Sequence, residues 1–105
     1  MNTVIARLKI REGKEDEAAE ALEKLVRAVE AEEPGALVYA CHRSQSDAAE
    51  VVFFEVYADD AALRSHVTSP HLAEFQSSVR ELFDGSQTKI ERFERIGGFA
   101  RAGGD

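Results

Sequence analysis

Glu55, Tyr57 and His66 are the residues whose types and spacing can do chemistry. Glu55 and Tyr57 stand two apart in the apolar run Val52-Phe53-Phe54-Glu55-Val56-Tyr57, so on a strand they share a face, together with Phe53. His66 follows at the end of a short helical segment. An imidazole there can take a proton from a phenol or an acidic carbon and leave an electron-rich anion. A phenol can donate to the oxyanion that develops. A carboxylate can orient or charge-pair the imidazole, and a helix C-terminus favours its protonated form. Around an apolar cavity this set suits a flat, hydroxylated aromatic or a small enolisable carbonyl compound. Phe53, His71 and His42 complete the candidate set as substrate-binding residues.

Each of these residues also has a plainer reading. Glu55 can pair with Arg7 or Arg43 across neighbouring strands. Tyr57 can be a core-edge residue with a wet hydroxyl. His66 can close its helix by donating to the last carbonyls. His71 sits in the first turn of the next helix, where the positive dipole end favours a neutral ring. His42, on a strand, can be a surface histidine.

Other chemistries lack their residues. His66 and His71 do not have the three- or four-residue helical spacing of metal ligands, and Pro70 breaks the helix between them, so no metal site is expected. Gly97-Gly98 follows a strand pattern with no helix after it, so there is no phosphate cradle. No nucleophile elbow or triad order is present. No cofactor is expected.

The elements that must position the candidates follow from periodicity. Residues 3–10 alternate, with Val4, Ala6, Leu8 and Ile10 pointing one way, and read as a strand. Arg11-Glu12-Gly13-Lys14 is a turn. Glu15 to Glu32 reads as a helix with an apolar stripe of Ala18, Ala21, Leu22, Leu25, Val26 and Val29 and acids in its first turn. Pro34-Gly35 ends it. Leu37–Arg43 and Val51–Tyr57 form a hairpin across a polar loop. Asp59 caps a helix over 60–66; Ser69 and Pro70 start another, carrying Leu72, Phe75, Val79, Leu82 and Phe83 on one face. Asp84-Gly85 stops it, and Thr88–Ile96 is the last strand. The order is β-α-β-β-α-β, the ferredoxin-like split βαβ pattern of an α+β fold with a four-stranded antiparallel sheet. Helices cover only one face of such a sheet, yet the third strand is apolar on both faces, so the second face should meet another protein surface.

Composition narrows the classes. The chain has 105 residues, 44% of them hydrophobic, which fits one domain with a modest core. We assign residues 1–100 to it and read 101–105 as a mobile tail. The formal net charge of -7 argues against nucleic-acid partners and anionic membrane surfaces. No apolar run is long enough to span a bilayer, and the N-terminus shows no signal-peptide pattern, so a cytoplasmic protein is expected. Cys41 is the lone cysteine, which rules out an internal disulfide and reads as a small buried thiol.

Nearly the whole chain resembles the antibiotic biosynthesis monooxygenase domain family. The resemblance rests on Val4-Ile5-Ala6-Arg7-Leu8, Gly13-Lys14-Glu15, Glu33-Pro34-Gly35-Ala36-Leu37-Val38-Tyr39, the block from Val52 to Leu72, and Ile90-Glu91-Arg92-Phe93. Its specific parts are the Glu-Pro-Gly turn and the Glu-x-Tyr…His…Ser-Pro-His block. It implies a homodimer in which two sheets pack into a dimeric α+β barrel. It also implies a cofactor-independent monooxygenase acting on a phenolic or quinol-like small molecule. A haem-degrading branch of that superfamily uses Asn, Trp and His where this chain has Ala6, Tyr57 and Gln76, so haem degradation is not implied. Members with Tyr at the place of Tyr57 include isomerase-like enzymes acting on small hydroxylated ketones, which keeps a proton-shuttling isomerase as an alternative. A third reading is a non-enzymatic, dimeric small-molecule-binding or stress-response domain.

Overall fold

Period-two alternation makes strand β1 over Asn2–Lys9 and buries Val4, Ala6 and Leu8 on one side. The structure, a computed structural model, describes residues 1–101. Residues 102–105 lie outside the described residues, and with them most of the tail expected at 101–105. Gly13, at φ +82°, makes the turn out of β1; a left-handed backbone favours a residue without Cβ. Helix α1 spans Glu15–Glu32 and buries Ala18, Leu22, Leu25 and Val29 of the expected stripe, with Ala21 and Val26 partly buried beside them. Its first turn has no side-chain cap, and Glu15, Asp16 and Glu17 supply negative charge there instead.

Strands β2 (Ala36–Arg43) and β3 (Glu50–Tyr57) form the expected antiparallel hairpin. Helix α2 covers Asp60–Val67, with the Asp59 carboxylate accepting from the Ala62 amide at 2.8 Å. Helix α3 covers Pro70–Leu82 behind the Ser69 cap. A 3-10 turn at Gly85–Gln87 leads to β4 (Lys89–Glu94). The sheet is antiparallel throughout, in the order β2-β3-β1-β4. This is the α+β, ferredoxin-like arrangement, with two consecutive helices in the second crossover. No helix among the described residues is long and apolar enough to cross a membrane.

Several boundaries differ from expectation by one or two residues. The last strand ends at Glu94, not Ile96, because Glu94 already pairs with Asn2 at the start of β1. The first strand ends at Lys9; Ile10 forms an isolated bridge to Phe83 instead. Phe83 lies just past α3 with extended backbone, but it is fully buried and its ring sits 5.8 Å from Phe75.

The register sorts side chains between two faces. Leu8 opposes Val51 and Ala6 opposes Phe53, so Val51, Phe53, Glu55 and Tyr57 share the helix-covered face with Val4, Ala6 and Leu8. The other face carries Ile5, Val52, Phe54 and Phe93. Phe54 and Phe93 remain 38% and 44% exposed there, while Val56 is buried. That face is therefore an apolar strip with no helix over it.

Candidate functional site

A cavity of about 560 Å³ lies between the helix-covered face of the sheet and the α2–α3 pair. Its floor includes Ala6, Phe53 and Glu55, and its wall includes Leu63, His66 and Phe75. β3 turns straight into α2 through the Asp59 cap, so Glu55 and His66 are brought to one space by local chain direction alone. The lining is mostly apolar with a few convergent polar groups, which is the composition of a small-molecule site. Among those groups is the Thr88 hydroxyl, which is buried without a hydrogen-bond partner. Arg64 and Arg92 also line the cavity and are exposed.

His66 is 5% exposed and does not close its helix with its ring. Its Nδ1 donates to both carboxylate oxygens of Glu33, at 3.0 and 3.1 Å. Its ring stacks 5.1 Å from Tyr39 and 5.4 Å from Tyr57, at a tilt. With Nδ1 engaged by a carboxylate, Nε2 is the nitrogen left to accept a proton. Glu33 therefore fixes both the tautomer and the ring orientation, the role expected of Glu55.

Glu55 does something else. Its carboxylate accepts from the Tyr57 hydroxyl at 2.5 Å, and both residues are buried. Arg7 and Arg43 are not its partners. Arg7 opposes Val52, on the far face; Arg43 opposes Val51, four residues along the strand. Burial pushes the Glu55 carboxyl above its usual range, opposed by the Tyr57 hydrogen bond and the His66 charge. Burial, then the bond to Glu55, pushes the Tyr57 phenol well above its usual value. Tyr57 is fully buried and is absent from the cavity wall, so its hydroxyl holds Glu55 and is not poised over the cavity.

The remaining candidates divide. Phe53 lines the cavity, its ring 5.1 Å from Tyr39. His71 does not; it lies in a surface groove by α1, and its Nε2 donates to Glu33. His42 is exposed on the far face of the sheet opposite Val52, where Nδ1 donates to the Val52 carbonyl at 3.3 Å, because even-numbered β2 residues point away from α1 and α2. It is not part of this cavity. Of the three positions that differ from the haem-degrading pattern, Ala6 and Gln76 line the cavity and Tyr57 backs it. Burial pushes the half-buried Cys41 thiol up to about 11, which leaves it inert.

Helical spacing does not capture how His66 and His71 come together. His66 and His71 belong to different helices, and the corner at Ser69 turns both rings onto one carboxylate. The ligand-capable atoms of Glu33, His66 and His71 lie within 4.8 Å of one another. Glu33 and Tyr39 are the residues that sequence reasoning missed. A signal for Glu33 existed: it is a carboxylate at the negative end of α1, in a last turn with no basic residue, where it needs a cation or strong donors from elsewhere.

Comparison with known proteins agrees with this architecture. The sequence profile of a family described as antibiotic biosynthesis monooxygenase matches residues 1–78. No curated protein matches the chain. Among solved structures, PA3566 from Pseudomonas aeruginosa is 28% identical over 91% of this chain and 94% of its own, with a TM-score of 0.82. A protein of Caulobacter crescentus CB15 is 27% identical over 91% of this chain and 90% of its own, with a TM-score of 0.85. Rv0793 from Mycobacterium tuberculosis, 24% identical over 94% and 98%, shares the fold at a TM-score of 0.84.

Proposed function

The chain belongs to the antibiotic biosynthesis monooxygenase family, and we propose on that footing that it is a cofactor-independent monooxygenase of a phenolic or quinol-like small molecule. The observation that carries the reading is the His66–Glu33 pair at the wall of an apolar cavity. His66 Nε2 takes the proton of a substrate hydroxyl, and Glu33 stabilises the imidazolium that forms. The substrate anion is the reductant and dioxygen the oxidant. One oxygen atom enters the substrate and the other leaves as water, with two hydrogens drawn from the substrate. Phe53 and Tyr39 stack at 5.1 Å beside the base, and a flat ring packs well against such a wall. The Thr88 hydroxyl supplies a free hydrogen-bonding group.

The reading includes a homodimer, residues 1–100 acting as its domain unit, with the apolar face of Ile5, Val52, Phe54 and Phe93 buried between two sheets. It also includes a cytoplasmic setting. Oxygen uptake is the test. Quinols and polyphenols that bind the purified protein by calorimetry should consume oxygen above the uncatalysed rate. Binding without any uptake overturns the reading.

One observation favours a second reading, an isomerase shuttling a proton on a small hydroxylated ketone. Glu55, held toward its neutral form, and His66 face the same cavity and make an acid–base pair. Solvent deuterium entering the substrate without oxygen uptake selects it.

A further inference from the structure

We propose that Glu33, His66 and His71 form a binding site for one divalent ion of the zinc class, and that the bound ion turns His66 from a proton acceptor into a proton donor. Two imidazoles and a carboxylate are the ligand types of three-ligand zinc sites, which leave a fourth position open. The side chains of Glu33 and His66 are each 6% exposed and that of His71 is 14% exposed, so the ligands are held by the fold and are not a chance surface cluster. All ligand atoms lie within 4.8 Å of one another. With metal–ligand bonds of about 2.0–2.2 Å, tetrahedral neighbours stand roughly 3.4 Å apart. The present 3.0 and 3.1 Å between His66 Nδ1 and the Glu33 oxygens need to open by a few tenths of an ångström, and His71 Nε2, which sits closer still to Glu33, has further to move.

The electrostatics favour a cation at this point. Glu33 caps the C-terminus of α1 and His66 lies in the last turn of α2, so two negative dipole ends meet there. The N-terminus of α3, beside His71, opposes them in part. Among the described residues, Glu33 pairs with no Lys or Arg; its partners are the two imidazoles alone. His71 also lines a surface groove of about 250 Å³ beside Ala28 and Glu74, which gives the ion a way in.

The consequence for His66 follows from its two nitrogens. Without the ion, Nδ1 carries the proton and Nε2 is the base. With Nδ1 on the ion, the ring's proton moves to Nε2. The cavity then meets an N–H donor where it had an acceptor. This consequence rests on the oxygenase reading, but ion binding does not.

The test uses the full chain, free of any affinity tag and stripped with chelator, titrated with zinc chloride by calorimetry. One ion per chain should bind, with proton release and an affinity that falls as the imidazoles protonate. His71→Ala should weaken binding at least about tenfold, and it retains the buried Glu33–His66 pair, so the fold survives. Nitrogen-15 spectra of the His66 ring should show its proton moving from Nδ1 to Nε2 on zinc addition. No saturable binding overturns the proposal, as does binding that His71→Ala leaves unchanged, or a His66 ring whose proton stays on Nδ1. Since no step measures turnover, failure here leaves the oxygenase reading standing, and failure of oxygen uptake leaves the ion site standing.

Discussion

The Tyr57 hydroxyl donates to Glu55 across 2.5 Å, between two buried side chains on the same strand face. The phenol is thus spent on the carboxyl beside it. Tyr57→Phe keeps the ring and removes the donor, so the Glu55 carboxyl should rise further above its usual range. The lost buried hydrogen bond should cost about 1 kcal/mol of folding stability. Carboxyl NMR titration and urea unfolding of the variant measure both. An unchanged Glu55 titration would show that the bond is not formed in solution.

Glu55 also sets a pH dependence whose sign can be worked out. Its folded-state pKa lies above its unfolded value, chiefly through burial. Between the two values the folded protein binds more protons than the unfolded chain, so stability falls as pH rises through that window. The contribution is fully present below the ordinary carboxylate pKa and is lost above the raised one. Glu55→Gln can still accept from Tyr57 and carries no charge. It should abolish this fall and raise the neutral-pH melting temperature relative to the parent. A parent and variant with parallel stability–pH curves from pH 4 to 8 would contradict the assignment.

His66→Ala should lower turnover of a verified substrate by roughly 10²–10⁴-fold, the range for loss of a general base. Glu33 touches no substrate and acts through the ring. Glu33→Gln should therefore lower kcat while leaving KM nearly unchanged, because the amide cannot balance the imidazolium that forms only as the proton is taken. A Glu33→Gln enzyme that loses kcat/KM through KM alone would reduce Glu33 to a packing role.

Phe54→Glu tests the bare sheet face. Phe54 is already 38% exposed in one protomer, so the substitution should leave the monomer folded. In a sheet-to-sheet dimer it buries an unpaired charge, which costs several kcal/mol per interface by general burial energetics, on the order of 2–5. Analytical ultracentrifugation should find the parent dimeric and the variant largely an 11.6 kDa species. A parent that sediments as 11.6 kDa, or a variant that dimerises normally, removes Phe54 from the interface.

Gly35→Ala tests the seat of α2. A Cβ at Gly35 would stand 2.6 Å from the Ala62 Cβ, and neither atom can rotate away. α2 must shift, at a cost of about 1–3 kcal/mol. Ala62→Gly in the Gly35→Ala background should recover part of that loss in urea unfolding. Additive losses in the double variant would mean the two residues do not touch.

Much of this fold could be read from the chain. The stripe Ala18–Leu22–Leu25–Val29 and the alternation of Val4, Ala6 and Leu8 are repeated, local signals, and burial follows them residue by residue. The caps at Asp59 and Ser69 were legible for the same reason. The site was legible only in part. Glu55, Phe53 and His66 share a cavity because a strand runs directly into a helix. Glu33 reaches His66 from 33 positions away in sequence, through a tertiary contact that no spacing rule encodes. Tyr57 was assigned to the cavity by its face, but face does not reveal depth, and it lies behind Glu55. The face of His42 could not be read because the parity of β2 against β3 depends on register, which includes an irregularity between Ala36 and Val38.

The corner at Ser69 has a mechanical meaning. Its hydroxyl donates to the His66 carbonyl at 2.7 Å and accepts from the Leu72 amide at 3.3 Å, stitching the end of one helix to the start of the next. α2 and α3 are thereby a single stiff bracket, and its two imidazoles grip Glu33 like the jaws of a clip. A motion that opened the cavity by swinging this bracket outward would pull both jaws from the carboxylate at once. Entry of a ligand and release of the base from its charge partner would then be one event.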